Sequence, residues 1–442
     1  MRDSAQAVQQ TASRSDVLVI GGGPGGATIA ALLAERGREV VLIEKARHPR
    51  FHIGESLLPL NMPLFEQLGV ADEMKTIGMP KYGAEFVSPW HPAAVTFDFA
   101  NAVDKSFPYA YQVRRSEFDH ILFRNAVRKG AVAVEGCRAT GVEFNTDGAA
   151  VTVRHDDGRE ENWHTKFVVD ASGRDTLLAS QFGTKRRNPA HNSAAIFGHF
   201  SGATRHAGKA EGNISLFWFD HGWFWFIPLN DGVTSIGAVC WPYYMKSRKT
   251  DPQTFFLETI ALCPALAERL HTAKLCSPVT ATGNYSYAVK RATGRNYLLL
   301  GDAFTFIDPV FSTGVLFAMQ SAFAGAETVT ACLDNPAGAN RALRAFDRSM
   351  HHGPKIFSWF IYRVTTPTLR DLFMGPGNAK IQEAVLSVLA GDIFRDTPLG
   401  LRLFAFKLVY YARNLFNPRR TLSAWKKRKQ ILQAPPAEST PA

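Results

Sequence analysis

The sequence predicts an α/β fold: a parallel-stranded nucleotide-binding module, an interleaved mixed β-sheet that would carry the substrate, and a helical C-terminal region. Three observations predict it. A Gly-x-Gly-x-x-Gly turn joins an apolar run to a helix-forming run near the N-terminus. Two further apolar runs end in turns, at Asp170-Ala171-Ser172-Gly173 and Gly301-Asp302-Ala303. Between them lie four aromatic-rich stretches of strand length, separated by polar turns.

Residues 1–14 are polar and lack the apolar core of a signal peptide, so they are expected to be a disordered lead-in. Asp16–Ile20 then reads as a buried parallel strand, Ala27–Glu35 as a helix that Gly37 ends, and Val40–Ile43 as a second strand. Each glycine of the intervening turn has its own reason. Gly21 permits the tight turn, Gly23 lets a pyrophosphate approach the backbone, and Gly26 lets the helix pack close on the strand. The helix N-terminus would offer N–H groups to phosphate oxygens. Glu44 ends the second strand, where a carboxylate can accept from ribose hydroxyls. Strand, loop, helix, strand and acid in that order make this a Rossmann-like unit.

Asp156-Asp157-Gly158 is a hairpin signal between Val151–Arg154 and Glu161–His164. Phe167–Asp170 and Tyr297–Leu300 are further expected strands of the nucleotide module. That module is discontinuous, roughly 14–80, 110–180 and 285–335, within a core spanning 15–335. Residues 185–285 are expected to form the inserted sheet, with strands Ala194–Phe200, Ile214–Phe219, Trp223–Pro228 and Ser235–Trp241 and a helix near Pro252–Leu270. Residues 336–433 read as helical, with Arg341–Tyr362 and Ile381–Leu389 broken by Pro367 and Gly375-Pro376-Gly377. The tail 434–442 is expected to be disordered.

The 442 residues are 46% hydrophobic and 20% charged, which excludes a disordered chain. Thirty-two Phe and eight Trp suit either a ring-walled cavity or a Phe-rich core. Five cysteines, none in a Cys-x-x-Cys pair, suggest no disulfide framework and no metal site, and point to a reducing, cytoplasmic setting. No apolar run reaches 18 residues, so no membrane span is expected. Nine of the eleven excess positive charges fall between Leu401 and Gln433, a stretch with no acidic residue. On a helical wheel Arg402, Lys407, Arg413 and Asn414 share one arc and the rest is apolar. Such a helix docks on its own protein, lies on an anionic membrane surface, or meets an acidic partner. No nucleic-acid motif accompanies it, so no nucleic-acid partner is expected.

Several segments resemble those of known flavoproteins. Gly301-Asp302-Ala303 resembles the second FAD fingerprint of flavoprotein hydroxylases, in which the Asp binds the ribityl chain. Asp170-Ala171-Ser172-Gly173-Arg174 is a junction of the same type, and Arg115 matches an Arg that contacts FAD there. Within that group, Gly222-Trp223-Phe224-Trp225-Phe226-Ile227-Pro228 carries the W-x-W-x-I-P pattern of the flavin-dependent halogenases. On a strand, Trp223 and Trp225 face one side. Lys81-Tyr82-Gly83-Ala84-Glu85-Phe86 resembles the family's lysine segment, Asp308-Pro309-Val310-Phe311-Ser312-Thr313-Gly314-Val315 its halide segment, and Ile53-Gly54-Glu55-Ser56-Leu57-Leu58-Pro59 its flavin-side loop.

This resemblance implies resident FAD, used as FADH2 supplied by a separate flavin reductase, with O2 and chloride or bromide. It implies halide held by the N–H groups of Thr313 and Gly314, beside a flavin contacted by Val315. A flavin hydroperoxide would oxidise the halide, and the hypohalous acid would reach Lys81 and then an electron-rich aromatic ring. Trp223 and Trp225, with Phe311, would keep that ring from the flavin. Burial would lower the lysine pKa, so that it donates or attacks near neutral pH. One departure matters: Phe311 stands where the tryptophan-type enzymes carry a glutamate, which disfavours free tryptophan and favours a phenol or pyrrole. With the basic tail, it suggests an acyl substrate on an acidic carrier protein, while the basic helix equally allows peripheral membrane contact. The same scaffold also serves aromatic monooxygenases and lipid reductases, and could serve a non-catalytic FAD-binding partner.

Overall fold

The computed structural model describes residues 14–283, 286–392 and 399–433. The lead-in up to residue 13 and the tail 434–442, both expected to be disordered, lie outside the described residues.

The first sheet grows from the N-terminal β1 (Arg14–Ile20), α1 (Pro24–Glu35) and β2 (Val40–Glu44). Pro24 sits in the first turn of α1, where a missing N–H costs nothing. Two strands of the second sheet follow, β3 (Gly83–Val87) and β4 (Val95–Asp98). The chain then returns through α2 (Arg115–Arg128), β5 (Val132–Glu135) and β6 (Glu160–Asp170), with an antiparallel extension at Cys137–Phe144 and Ala149–His155. The second sheet resumes with β7 (Ala194–Ser201), β8 (Ile214–Phe219), β9 (Gly222–Pro228) and β10 (Val233–Cys240). The first is completed by β11 (Tyr297–Leu299). Helices α3 (Thr313–Asp334), α4 (Ala339–Ile361), α5 (Pro367–Met374), α6 (Ala379–Leu389), α7 (Gly400–Phe416) and α8 (Pro418–Gln433) end the chain.

In the first sheet β11, β6, β1, β2 and β5 run parallel in that order. Buried on both faces, β1 and β2 read as continuous apolar runs. The second sheet runs Lys274–Leu275, β7, β10, β9, β8, β3, β4, with β8 and β3 parallel and the other neighbours antiparallel. It is therefore wider than the expected 185–285 segment: residues 83–98 join it through the β8–β3 pairing, with Ile214 opposite Ala84. The expected single helix at Pro252–Leu270 is two, Pro252–Ala261 and Pro264–Arg269. Pro264 has no N–H to continue the first, and it opens the second.

Strand β9 divides the packing by parity. Trp223, Trp225 and Ile227 join a core with the C-terminal helices, while Phe224 and Phe226 join another beneath helix Pro252–Ala261.

Helix α3 is long and apolar enough to cross a membrane by length and composition, contrary to the expectation from consecutive apolar runs. Its contacts make it a core helix. Met319, Ala322, Ala326 and Val329 have no exposed surface. A Cβ on Gly325 would meet Ile29 of α1 at 3.1 Å, so the small side chain sets how closely α1 and α3 pack.

Candidate active site

A cavity of about 1060 Å³ opens at the C-terminal ends of β1, β2, β6 and β11, where a parallel sheet presents its loops. Its wall gathers Gly21, Gly23, Glu44, Arg115, Gly301, Asp302, Gly314, Val315, Trp223 and Trp225. Gly26, Lys81, Phe311 and Thr313 stand behind it.

The glycines separate into two kinds. Gly21 has φ +104°, and a Cβ on Gly26 would lie 1.8 Å from the Gly21 carbonyl, so these two are glycine because the chain itself leaves no room. Gly23 and Gly314 are different. A Cβ on Gly23 would meet nothing nearer than Arg50 Nη2 at 3.6 Å, and one on Gly314 nothing nearer than Phe306 at 4.0 Å. Neither has a positive φ. Each would place its methyl in the cavity, so a bound group accounts for the bare backbone better than internal packing does.

Glu44 accepts from Gly22 N at 2.7 Å and Ala46 N at 3.0 Å, which fixes its carboxylate at the rim of the glycine turn. Arg115 opens α2 and is clamped by Asp119, with Nε–Oδ1 at 2.8 Å and Nη2–Oδ2 at 3.0 Å. Its Nη1 donates to Ile53 O at 2.9 Å, which ties the segment after Ile53 to this helix. Burial pushes Asp302 up to about 6, against the pull of Arg174 and Arg115. Hydroxyl donors on the ligand would favour its ionised form. Glycine backbone open to the cavity at Gly23, a carboxylate beside that turn and a second, half-buried carboxylate across the cavity fit FAD.

The segment before α3 is a built turn. Asp308 Oδ1 accepts from Val310 N at 3.0 Å, and its Oδ2 lies 2.7 Å from His191 Nε2 and accepts from Ser193 Oγ at 3.1 Å. Ser312 is left-handed, φ 56°, and α3 begins at Thr313 with no side-chain cap. The first-turn N–H groups are thus not spent on a cap. Ser312, Gly314 and Val315 line the cavity, whereas Phe311 turns toward Phe360, ring to ring at 6.4 Å.

Trp223 and Trp225 lie with ring centroids 6.2 Å apart and tilted by 55°. Trp225 Nε1 donates to Ser235 Oγ at 3.1 Å. Gly237 seats that ring: a Cβ there would lie 2.1 Å from Trp225 Cζ2.

Lys81 is 1% exposed. Its Nζ donates to Ser56 Oγ at 3.0 Å and Leu57 O at 2.9 Å and sits 5.3 Å from the Phe99 ring centroid. Burial lowers it to about 7. Ser56 lines the cavity, so the amine stands one side chain behind its wall.

Three features escaped the sequence reading. Arg50 lines the cavity over the glycine turn and pairs with Asp119 at 3.0 Å. The basic run after β2 was its available signal. Glu55 and His199 form a buried pair at 3.0 Å, and Ser56 holds Lys81. Glu55 and Ser56 stood in the flavin-side motif, but nothing in sequence joined them to partners 144 and 25 residues away.

Comparisons with known proteins agree with this geometry. The FAD binding domain family matches residues 14–352. A flavin-dependent halogenase of Penicillium aethiopicum is 34% identical over 369 residues, covering 77% of this chain and 69% of that protein. The 1H-pyrrole-2-carbonyl peptidyl-carrier-protein chlorinase of Pseudomonas fluorescens is 28% identical over 408 residues, 86% and 89% of the two chains. Among solved structures, the myxobacterial chondrochloren halogenase CndH superposes with a TM-score of 0.75 at 33% identity, over 88% of this chain and 92% of that one.

Proposed function

The chain belongs to the flavin-dependent halogenase family, and from that premise we propose that it halogenates a phenolic or pyrrolic ring presented as an acyl group on an acidic carrier protein. It is an enzyme that uses FAD, and halide and O2 are the family's other reactants. Reduced flavin, delivered by a separate reductase, supplies with O2 the oxidising power that turns halide into hypohalous acid.

The rest is assigned to this chain's residues. Gly21, Gly23 and Gly26 shape the pyrophosphate turn, while Glu44, Arg115 and Asp302 hold the cofactor's polar parts. The N–H groups of Thr313 and Gly314 hold the halide, because an uncapped helix start favours an anion. Trp223 and Trp225 bar the ring from the cofactor, with Phe311 behind the halide turn. Lys81 receives the hypohalous acid and directs it at the ring.

The observation that carries this reading is the position of Lys81 Nζ, buried, lowered to about 7 and 3.0 Å from a serine of the cavity wall. It favours a halogenase over the monooxygenase and reductase uses of the scaffold, which give such an amine nothing to do. The relatives named as halogenases also set aside a non-catalytic FAD carrier. The test gives the Lys81→Ala protein reduced FAD, O2, bromide and a phenolic probe. Brominated product is expected to fall by about 10²–10³-fold, while a diffusible trap still collects hypobromite. Wild-type bromination of the probe would remove Lys81 from the reaction. Product made equally well without halide would point to a monooxygenase.

The carrier is supported by nine basic residues in 401–433 and by the exposed stripe of α7 beside them, Leu401, Phe404, Leu408 and Leu415. The docking, membrane and acidic-partner readings of this helix separate by face. Leu403, Phe406 and Tyr410 dock on the protein, and the opposite stripe is open. Retention by anionic vesicles without any effect of the carrier would favour a lipid surface instead.

A further inference from the structure

A second cavity, of about 380 Å³, lies at the far end of β9 from Lys81. Its floor is the β8–β9 turn and Trp241, its roof is α8, and Trp90 and the start of α5 close one side. In the sheet, β3 runs parallel to β8 from Ala84 opposite Ile214 to Val87 opposite Phe217. Lys81 precedes the first end of β3 and Trp90 follows the other. Lys81 and Trp90 thus stand beyond opposite ends of this strand, while His191 in the second cavity's lining lies 2.7 Å from Asp308 of the turn before α3.

The lining is cationic, and two of its side chains, Arg370 and Asn192, carry unpartnered polar atoms. Arg370 lies over Trp90, its guanidinium carbon 3.6 Å from the ring centroid, and its Nε is buried with no partner among the described residues. Burial lowers it to about 10. Asn192 is 2% exposed, and among the described residues neither its Oδ1 nor its Nδ2 has a partner. A buried amide left unpaired is costly, so a bound partner is expected for it. Arg428 and Lys427 add charge, with Arg428 also held below its usual range by burial. Arg420 is already spent on Asp371, and Asp220 is the acid in the lining.

These groups define a ligand. The excess of cations calls for an anion. A guanidinium lying on an indole keeps its edge donors in one plane, which suits the two oxygens of a carboxylate. The indole of Trp241 suits a ring beside that group, while Trp90 serves as the platform under Arg370. We propose that this cavity binds an aromatic carboxylate, at a site separate from the FAD cavity and from Lys81.

The experiment is calorimetric titration of the full-length, FAD-loaded protein with 2-naphthoate. Saturable one-to-one binding is expected. The neutral 2-naphthylmethanol and inorganic phosphate are each expected to bind at least about tenfold more weakly. Arg370→Gln and Asn192→Asp, the second nearly the same shape with a charge that repels the ligand, should each weaken 2-naphthoate by about tenfold or more. FAD stoichiometry reports that each variant is folded, and if Arg370→Gln fails that check the Asn192→Asp result decides. Lys81→Ala should bind 2-naphthoate like wild type. Unchanged binding in both cavity variants, loss of binding in Lys81→Ala, or phosphate binding as tight as 2-naphthoate would each overturn the proposal.

Discussion

At the scale of single residues, glycines and one lysine carry the sharpest consequences. Gly23→Ala and Gly314→Ala add a methyl that no protein atom meets within 3.5 Å. Both proteins are expected to fold with stability within about 1 kcal/mol of wild type. Gly23→Ala should weaken FAD by about tenfold or more, measured by flavin fluorescence, and Gly314→Ala should raise the halide KM instead. Gly26→Ala is the control, since its methyl meets the Gly21 carbonyl at 1.8 Å and the turn itself must break. Lys81 makes a prediction about pH. Burial brings it from 10.5 to about 7, so between those values the unfolded chain binds the proton more tightly than the folded one. Stability contributed through this residue therefore rises as pH climbs from about 7 toward 10. Lys81→Met keeps the stem and abolishes the titration. Denaturation of both proteins at pH 7, 8.5 and 10 should show wild type gaining on the variant by on the order of a few kcal/mol; a constant gap would mean that Lys81 does not titrate in that range. The glycines were legible in the sequence because a phosphate-binding turn writes its needs into adjacent positions. The Ser56–Lys81 contact was not, because only the fold brings them together.

At the scale of elements, β9 shows how far alternation reaches. Its period of two placed both tryptophans on one face before any coordinates, and the structure sends the phenylalanines to the other. The two faces should fail differently. Phe224→Ala empties a site with no exposed surface and is expected to cost about 3–5 kcal/mol, read as a lower denaturation midpoint, with product per folded molecule unchanged. Gly237→Ala instead pushes Trp225 from its seat. It should keep FAD yet lower halogenated product several-fold per flavin oxidised, because the barrier no longer fits. Equal coupling in this variant and wild type would take Trp225 out of the barrier. Periodicity fails where a helix is apolar on two sides. Leu403 and Phe406 of α7 are buried while Leu401, Phe404 and Leu408 are 60–81% exposed, and a helical wheel cannot rank two apolar faces. The break at Pro264 was legible in principle, since proline both stops one helix and starts another.

At the scale of the molecule, the chain interleaves two sheets, and the parallel module was readable where the mixed sheet's edge was not. Residues 83–98 join that sheet by pairing with a strand about 130 residues later, a choice set by tertiary contact rather than by local pattern. Charge is distributed on the same scale. Nearly all of the net positive charge belongs to the last two helices, and it is not equivalent within them. Lys427 donates to Asp220 O at 3.2 Å and Arg428 to Ala190 O at 2.8 Å, so both help build the second cavity. Arg419, Lys426 and Lys429 are exposed and free to meet an acidic surface. Complementary charge at such a rim speeds encounter more than it tightens a docked complex, and salt screens it. The triple variant Arg419→Glu, Lys426→Glu, Lys429→Glu is therefore expected to lower kcat/KM for a carrier-tethered aromatic acid by about tenfold at low salt. Its kcat should stay near wild type, and so should its rate with a small free phenol. The deficit should shrink as ionic strength rises past 0.15 M, where the screening length is about 8 Å. A deficit equal for the free phenol and the tethered acid would trace the charges to the fold of α8 and not to the carrier, whereas no deficit at all would remove these three residues from carrier docking.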